Sequence, residues 1–168
     1  MIEILRPMLD RMFATSARAL SYASLFEDEV VKVTGILELK KNPDIQGNEA
    51  QIIDLFRQIH SKSLSTNIKN LKINSKPLEK VLQDARLARN NLAHDVPRRM
   101  MDAALREQEE TWPSHMHNYL WYTVVNLAQG TYILYKLEYA LTGAGYRPPN
   151  DYAIIVAKWA CLWPPEKE

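Results

Sequence analysis

Apolar residues recur along most of the chain at three- and four-residue spacing, the period of an α-helix buried on one side. The first run holds Leu9, Met12/Phe13, Leu20, Val30/Val31 and Leu37, with the small residues Ser16, Ala23 and Thr34 in the intervening slots. It predicts one helix of roughly thirty residues. Gly35 is its weakest point, because glycine costs helix stability. "KNPDIQGN" then breaks the pattern with Pro43 and Gly47. Asn48 is placed to cap a second helix carrying Ile52/Ile53, Phe56 and Ile59. The polar, basic stretch "SLSTNIKNLKINSK" reads as a loop with a short helical turn.

Ser75, as N-cap, and Pro77 open a third helix striped by Leu78, Val81/Leu82, Ala85, Ala88 and Leu92. Pro97 disfavours helical backbone at Val96, so this helix is expected to stop near His94 or Asp95. A short charged helix over 99–110 follows. Pro113 opens a long helix to about Leu141, stopped by "GAG" at Gly143 to Gly145. A last short helix over 152–163 precedes a polar tail, 163–168. There is no internal repeat and no hairpin signal. The expected fold is all-α: a helical bundle of four or five main helices in a single domain spanning 1–168.

Composition narrows the function classes. The 168 residues suit one domain with a core that needs no disulfide staples. A formal net charge of +1 provides no global basic field for nucleic acid, so any such contact must come from a local patch. The single Cys161 excludes an internal disulfide and fits a reducing, cytoplasmic setting. "MIEILRPMLD" lacks the layout of a secretion signal. The most apolar stretch, 120–141, contains Asn126, Gln129, Lys136 and Glu138, so no membrane span is expected.

The chemistry concentrates in "ARLARNNLAHDVP". Arg89 falls inside the apolar stripe of the third helix, where arginine is rarely buried without a partner. Asn90 and His94 lie four apart on another face. An ideal helix separates Arg89 from His94 by about 140°. The two converge only if the helix end distorts before Pro97, or if a second copy of the helix supplies the other partner. The plainer alternative is a solvated helix terminus, which suits both asparagine and histidine.

Arg89, the Asn90 that follows it, and His94 preceded by the small Ala93 resemble the signature of the HEPN family (higher eukaryotes and prokaryotes nucleotide-binding domains). That signature is an arginine, a polar residue and then a histidine within a helical bundle. The resemblance covers about ten residues of motif and the helical layout. It implies a metal-independent endoribonuclease with no cofactor. It also implies a two-fold homodimer that brings two motifs to one cleft. RNA would be the substrate, and an antitoxin or other inhibitor protein a possible partner. The family occurs in toxin–antitoxin pairs, abortive-infection systems and RNA-targeting CRISPR effectors, so a microbial defence or toxin-type system is implied. Other members have lost catalysis and serve as modules that bind a protein partner or nucleotide. The toxin branch paired with a nucleotidyltransferase commonly carries a tyrosine two positions after the histidine. This chain has Val96 there, which removes support for that branch.

The residue chemistry agrees with the implied reaction. RNA carries its own nucleophile, the 2′-OH. Histidine suits the proton transfers, arginine offers forked donors to phosphate, and an amide orients without adding charge. Catalytic roles are therefore expected at Arg89, Asn90 and His94. Arg86, Arg98, Arg99, Lys76 and Lys80 are candidate RNA contacts, with scattered solubilising charge as the alternative. No metal site is expected: His115 and His117 diverge on a helix, and no Cys or acidic residue is spaced to complete a ligand set with them. "FEDEV" and "REQEE" read as solvated acidic faces, and the aromatics of the long helix as core or interface.

Overall fold

The computed structural model describes residues 2–106 and 112–161, and all the regular structure in them is helical. The elements are α1 (Ile2–Lys41), a single 3-10 turn (Pro43–Ile45), α2 (Glu49–His60), α3 (Leu64–Asn70), α4 (Lys76–Asn90), a π turn (Asn91–Asp95), α5 (Val96–Arg106), α6 (Trp112–Thr142) and α7 (Tyr152–Cys161). Helical backbone runs without a break through α4, the π turn and α5. Counted as one rod, these make six helices among the described residues, somewhat more than the four or five expected. The charged helix expected over 99–110 is the continuation of that rod as far as Arg106. Residues 107–110 and the 163–168 tail lie outside the described residues.

The central element is α6, packed between α1 and the rod, with α7 docked against both α6 and α1. Its buried face is Leu120, Val124, Leu127 and Leu134. Facing it are Phe26, Val30 and Val33 of α1 and Leu82, Ala85 and Leu92 of the rod. Each fully buried large aliphatic or aromatic side chain contributes about 1.5–3 kcal/mol, so this three-helix seam supplies most of the drive to fold. Gly130 lies in it: an added Cβ would stand 2.5 Å from Ala85 Cβ and 2.9 Å from the Phe26 ring. At α7, Arg18 donates to the Ala160 carbonyl (2.8 Å) and Tyr22 shares a hydrogen bond with Tyr152 (2.7 Å).

The buried face of α1 differs from the simplest reading of its stripe. Met12, Ala19, Tyr22, Ala23, Phe26, Val30 and Val33 point inward, whereas Phe13 and Leu20 are 50% and 43% exposed. Adjacent residues stand about 100° apart on a helix, and of Met12/Phe13 only Met12 is buried, whereas Val30 and Val31 are both buried. The small Ala19 and Ala23 share the chosen face and let α1 approach its neighbours. Gly35 has a comparable purpose: the Phe56 ring of α2 occupies the place of its missing side chain, 2.5 Å from where a Cβ would be.

The helix ends follow local chemistry. Asn48 caps α2 by accepting from the Gln51 N–H (3.2 Å), and Ser63 caps α3 through Thr66. The stretch read as a loop with a helical turn thus holds a seven-residue helix. Ser75 occupies the N-cap position of α4 without a side-chain bond. Gly143 and Gly145 take positive φ (71° and 113°) and stop α6, as their sequence suggests.

The clearest departure is at Pro97, where the helix was expected to end. Val96 is helical (φ −61°, ψ −52°) and its side chain is wholly buried. A proline within a helix lacks an N–H donor and crowds the carbonyl four residues earlier. Here the preceding turn widens: the Val96 N–H reaches back five residues to the Asn91 carbonyl. That π turn accommodates the ring, and burial of Val96 and Met100 beyond it outweighs the local preference against helix.

Candidate functional site

Arg89 lies two residues before the π turn, among the buried Ala85, Ala88 and Leu92. Its guanidinium is not sealed in the core. Nε forms an ion pair with the Glu27 carboxylate of α1, and the two side chains are each 31% exposed. Nη1 donates to Asn90 Oδ1 (3.3 Å). The half-buried arginine in the apolar stripe therefore has the partner that its position demands, supplied across the α1–α4 seam. Five N–H donors exceed what one carboxylate and one amide oxygen can use, which leaves capacity for a further anion.

Beside this pair a cleft of ≈ 380 Å³ opens, within the range typical of small-ligand sites. Three parts of the chain line it. From α1 come Glu27, Asp28 and Val31, and from α4 come Arg86, Arg89 and Asn90. The third wall is the end of α2 and the start of α3: His60, Lys62, Ser63, Leu64, Ser65 and Asn67. The buried Asn67 holds that wall in place. Its Nδ2 donates to the Ile59 carbonyl (3.0 Å), one residue before His60. Ile59, also buried, anchors the same turn. The cleft thus carries three cationic side chains, an imidazole, two carboxylates and several amides and hydroxyls.

Of the expected catalytic trio, Arg89 and Asn90 meet at the cleft and touch each other. His94 is exposed on the π turn and is not among the cleft's lining residues. The wide turn does supply the distortion before Pro97 that convergence requires. With i→i+5 bonding, residues five apart come nearer to alignment than on an α-helix.

The candidate RNA contacts scatter along the rod. Arg86 reaches the cleft, with Nε bonded to Gln83 (2.8 Å). Lys80 pairs with Asp84 (2.6 Å) and Arg98 with Asp95 (3.6 Å). Arg99 lies over the Tyr119 ring, 5.4 Å from its centre. Lys76 is exposed at the start of the rod, about 35 Å from Arg99 at 1.5 Å rise per residue. Among the described residues no group of three or more His, Cys, Asp and Glu side chains converges to hold a metal. No described helix is long and apolar enough to cross a membrane.

Sequence reasoning missed Glu27, Asp28, His60 and Asn67, whereas Lys62, one of the basic residues before the motif, does line the cleft. The acidic run "FEDEV" is only partly a solvated face: Glu27 pairs with Arg89, and Glu29 is buried. An arginine inside an apolar stripe calls for a carboxylate on a facing helix, and Glu27, next to the inward Phe26, was the signal available. His60 ends an amphipathic helix and gave no such sign.

A second group of charges lies apart from the cleft. Glu29 of α1 and Glu138 of α6 share Lys32, at 3.6 Å and 2.8 Å. The second oxygen of Glu138 is buried without a hydrogen bond, and the 3.6 Å contact leaves Glu29 Oε2 in the same position. Burial pushes the Glu29 carboxyl up from the ordinary carboxylate range, against the pull of Lys32. Burial likewise raises the Cys161 thiol to about 11, which leaves it protonated and inert at neutral pH.

Comparison with protein-family models, curated proteins and solved structures finds no match to this chain.

Proposed function

We propose that the protein is a metal-independent endoribonuclease of the HEPN type, acting in a microbial defence or toxin-type system. Its site would centre on Arg89, Asn90 and His94. The observation that carries this reading is the pairing of a polar, cation-bearing cleft at Arg89–Asn90 with a π turn at 91–95. Single-turn π distortions of this kind recur at functional sites. In the proposed reaction Arg89 binds the scissile phosphate, Asn90 orients, and His94 transfers protons. Two chains pair about a two-fold axis so that both motifs serve one RNA.

The test is incubation of the pure protein with labelled single-stranded RNA in EDTA. Cleavage is expected. His94→Ala should slow it by about 10²–10⁴-fold while leaving the fold intact, since His94 is exposed. Arg89→Ala should be nearly as damaging and Asn90→Ala milder. Light scattering should give twice the 19.4 kDa of one chain, with an interface above about 1,000 Å². Absence of cleavage from any RNA tested, or a His94→Ala variant at the wild-type rate, would remove this reading.

One observation favours a second reading, a catalytically silent helical module that binds a protein partner or nucleotide. Arg89 is already engaged by Glu27 within its own chain, as a purely structural arginine would be. In that case Glu27→Ala and Arg89→Ala change stability alike, and the protein cleaves no RNA.

A further inference from the structure

The ribonuclease reading needs a base and an acid close to the phosphate-binding arginine, and His94 does not line the cleft that holds Arg89. Another imidazole does. His60 is the last residue of α2, and it shares the cleft with Arg89, Asn90, Arg86 and Lys62. The Asn67 bond to the Ile59 carbonyl and the buried Ile59 side chain fix the backbone that presents it.

We propose that His60 is the general base of this site and that His94 is the acid, so that two different histidines divide the proton transfers. The proposal rests on the ribonuclease reading above. Neutral His60 takes the proton of the ribose 2′-OH. The 2′-oxygen forms a new bond to phosphorus, and the bond from phosphorus to the 5′-oxygen breaks. Its electron pair stays on that oxygen, which takes a proton from the His94 imidazolium of the same or the paired chain. The products are a 2′,3′-cyclic phosphate and a 5′-hydroxyl. Arg86, Arg89 and Lys62 balance the charge of the phosphorane.

Five charged groups share the cleft with His60. Glu27 and Asp28 face it from α1, Lys62 from its own strand of chain, and Arg86 and Arg89 from α4. His94 has Asp95 and Arg98 as its charged neighbours along the rod and is exposed.

The experiment is the pH profile of single-turnover RNA cleavage for wild type, His60→Ala, His94→Ala and His115→Ala, the last an exposed histidine outside the cleft. Wild type should give a bell. His60→Ala should lose at least 100-fold at its optimum and lose the acidic limb, the one that reports deprotonation of a base. His94→Ala should lose the alkaline limb. Added imidazole should restore part of the His60→Ala rate, which it would not do for a merely structural side chain, and His115→Ala should match wild type. A His60→Ala profile with both limbs and the wild-type rate overturns the proposal while leaving the ribonuclease reading in place, with two copies of His94 as base and acid. A large rate loss without imidazole rescue and with both limbs retained also overturns it. Failure of the wild type to cleave removes the ribonuclease reading and the role of His60 together.

Discussion

At the scale of single residues, Arg89 illustrates how a position out of pattern reports a partner. Its place in the apolar stripe was visible in the sequence, and so was the requirement that something neutralise it. Which carboxylate does so was not visible, because Glu27 is 62 positions away and only the docking of α1 on α4 joins them. Both side chains are about one-third exposed, so water screens the pair less than a fully exposed contact. A double-mutant cycle with Glu27→Ala and Arg89→Ala should give a coupling of about 1 kcal/mol by urea unfolding. A coupling near zero would mean that water and other cleft residues serve Arg89 equally well. His60 marks the opposite limit of legibility. A histidine ending a short helix carries no pattern, and only the fold of the 61–67 segment brings it into the arginine's cleft.

At the scale of elements, periodicity located the helices but left their rotation open. In α1 the pair Met12/Phe13 allowed more than one inward face. The choice was made by Ala19, Ala23 and Gly35, small residues whose value lies in what they allow to approach. Gly130 of α6 makes the same point at the tightest contact. Gly130→Ala should destabilise by about 1–2 kcal/mol in thermal or urea unfolding, because overpacking against Ala85 and Phe26 exceeds the gain in helix propensity. An unchanged or raised stability would show that the three-helix seam can spread without loss.

The α1–α6 contact also carries a pH dependence. A carboxyl raised by burial favours its protonated form in the folded state. Its contribution to stability is complete below the unfolded value of about 4.3 and is lost as pH rises through the higher folded value. For Glu29 the shift is upward, so Glu29→Gln, which stays neutral, should gain on wild type between pH 4 and pH 7. Denaturation at the two pH values measures this. An advantage that is equal at both would assign the effect to packing and not to ionisation.

At the scale of the whole molecule, one core joins α1, α3, the rod, α6 and α7, and the cleft opens where the α2–α3 excursion meets α1 and α4. The bundle was legible because burial on one side of a helix leaves a period in the sequence. The cleft was not, because its walls come from three separated segments whose residues share no spacing. The end of the third helix was misplaced for a related reason. The preference against helix before Pro97 is local, whereas burial of Val96 and Met100 depends on the assembled core. The compromise between the two is the π turn, and it also governs how the rod comes apart. Its hydrogen bonds span five residues, and Pro97 contributes no amide to the ladder. Opening there breaks fewer good bonds than opening within α4. Native-state hydrogen exchange should therefore divide the rod into two cooperative units, with amides of α5 exchanging through a smaller opening than those of 82–88. Uniform protection from 82 to 100 would instead make the rod a single spring, with the turn at His94 as firm as the helix on either side.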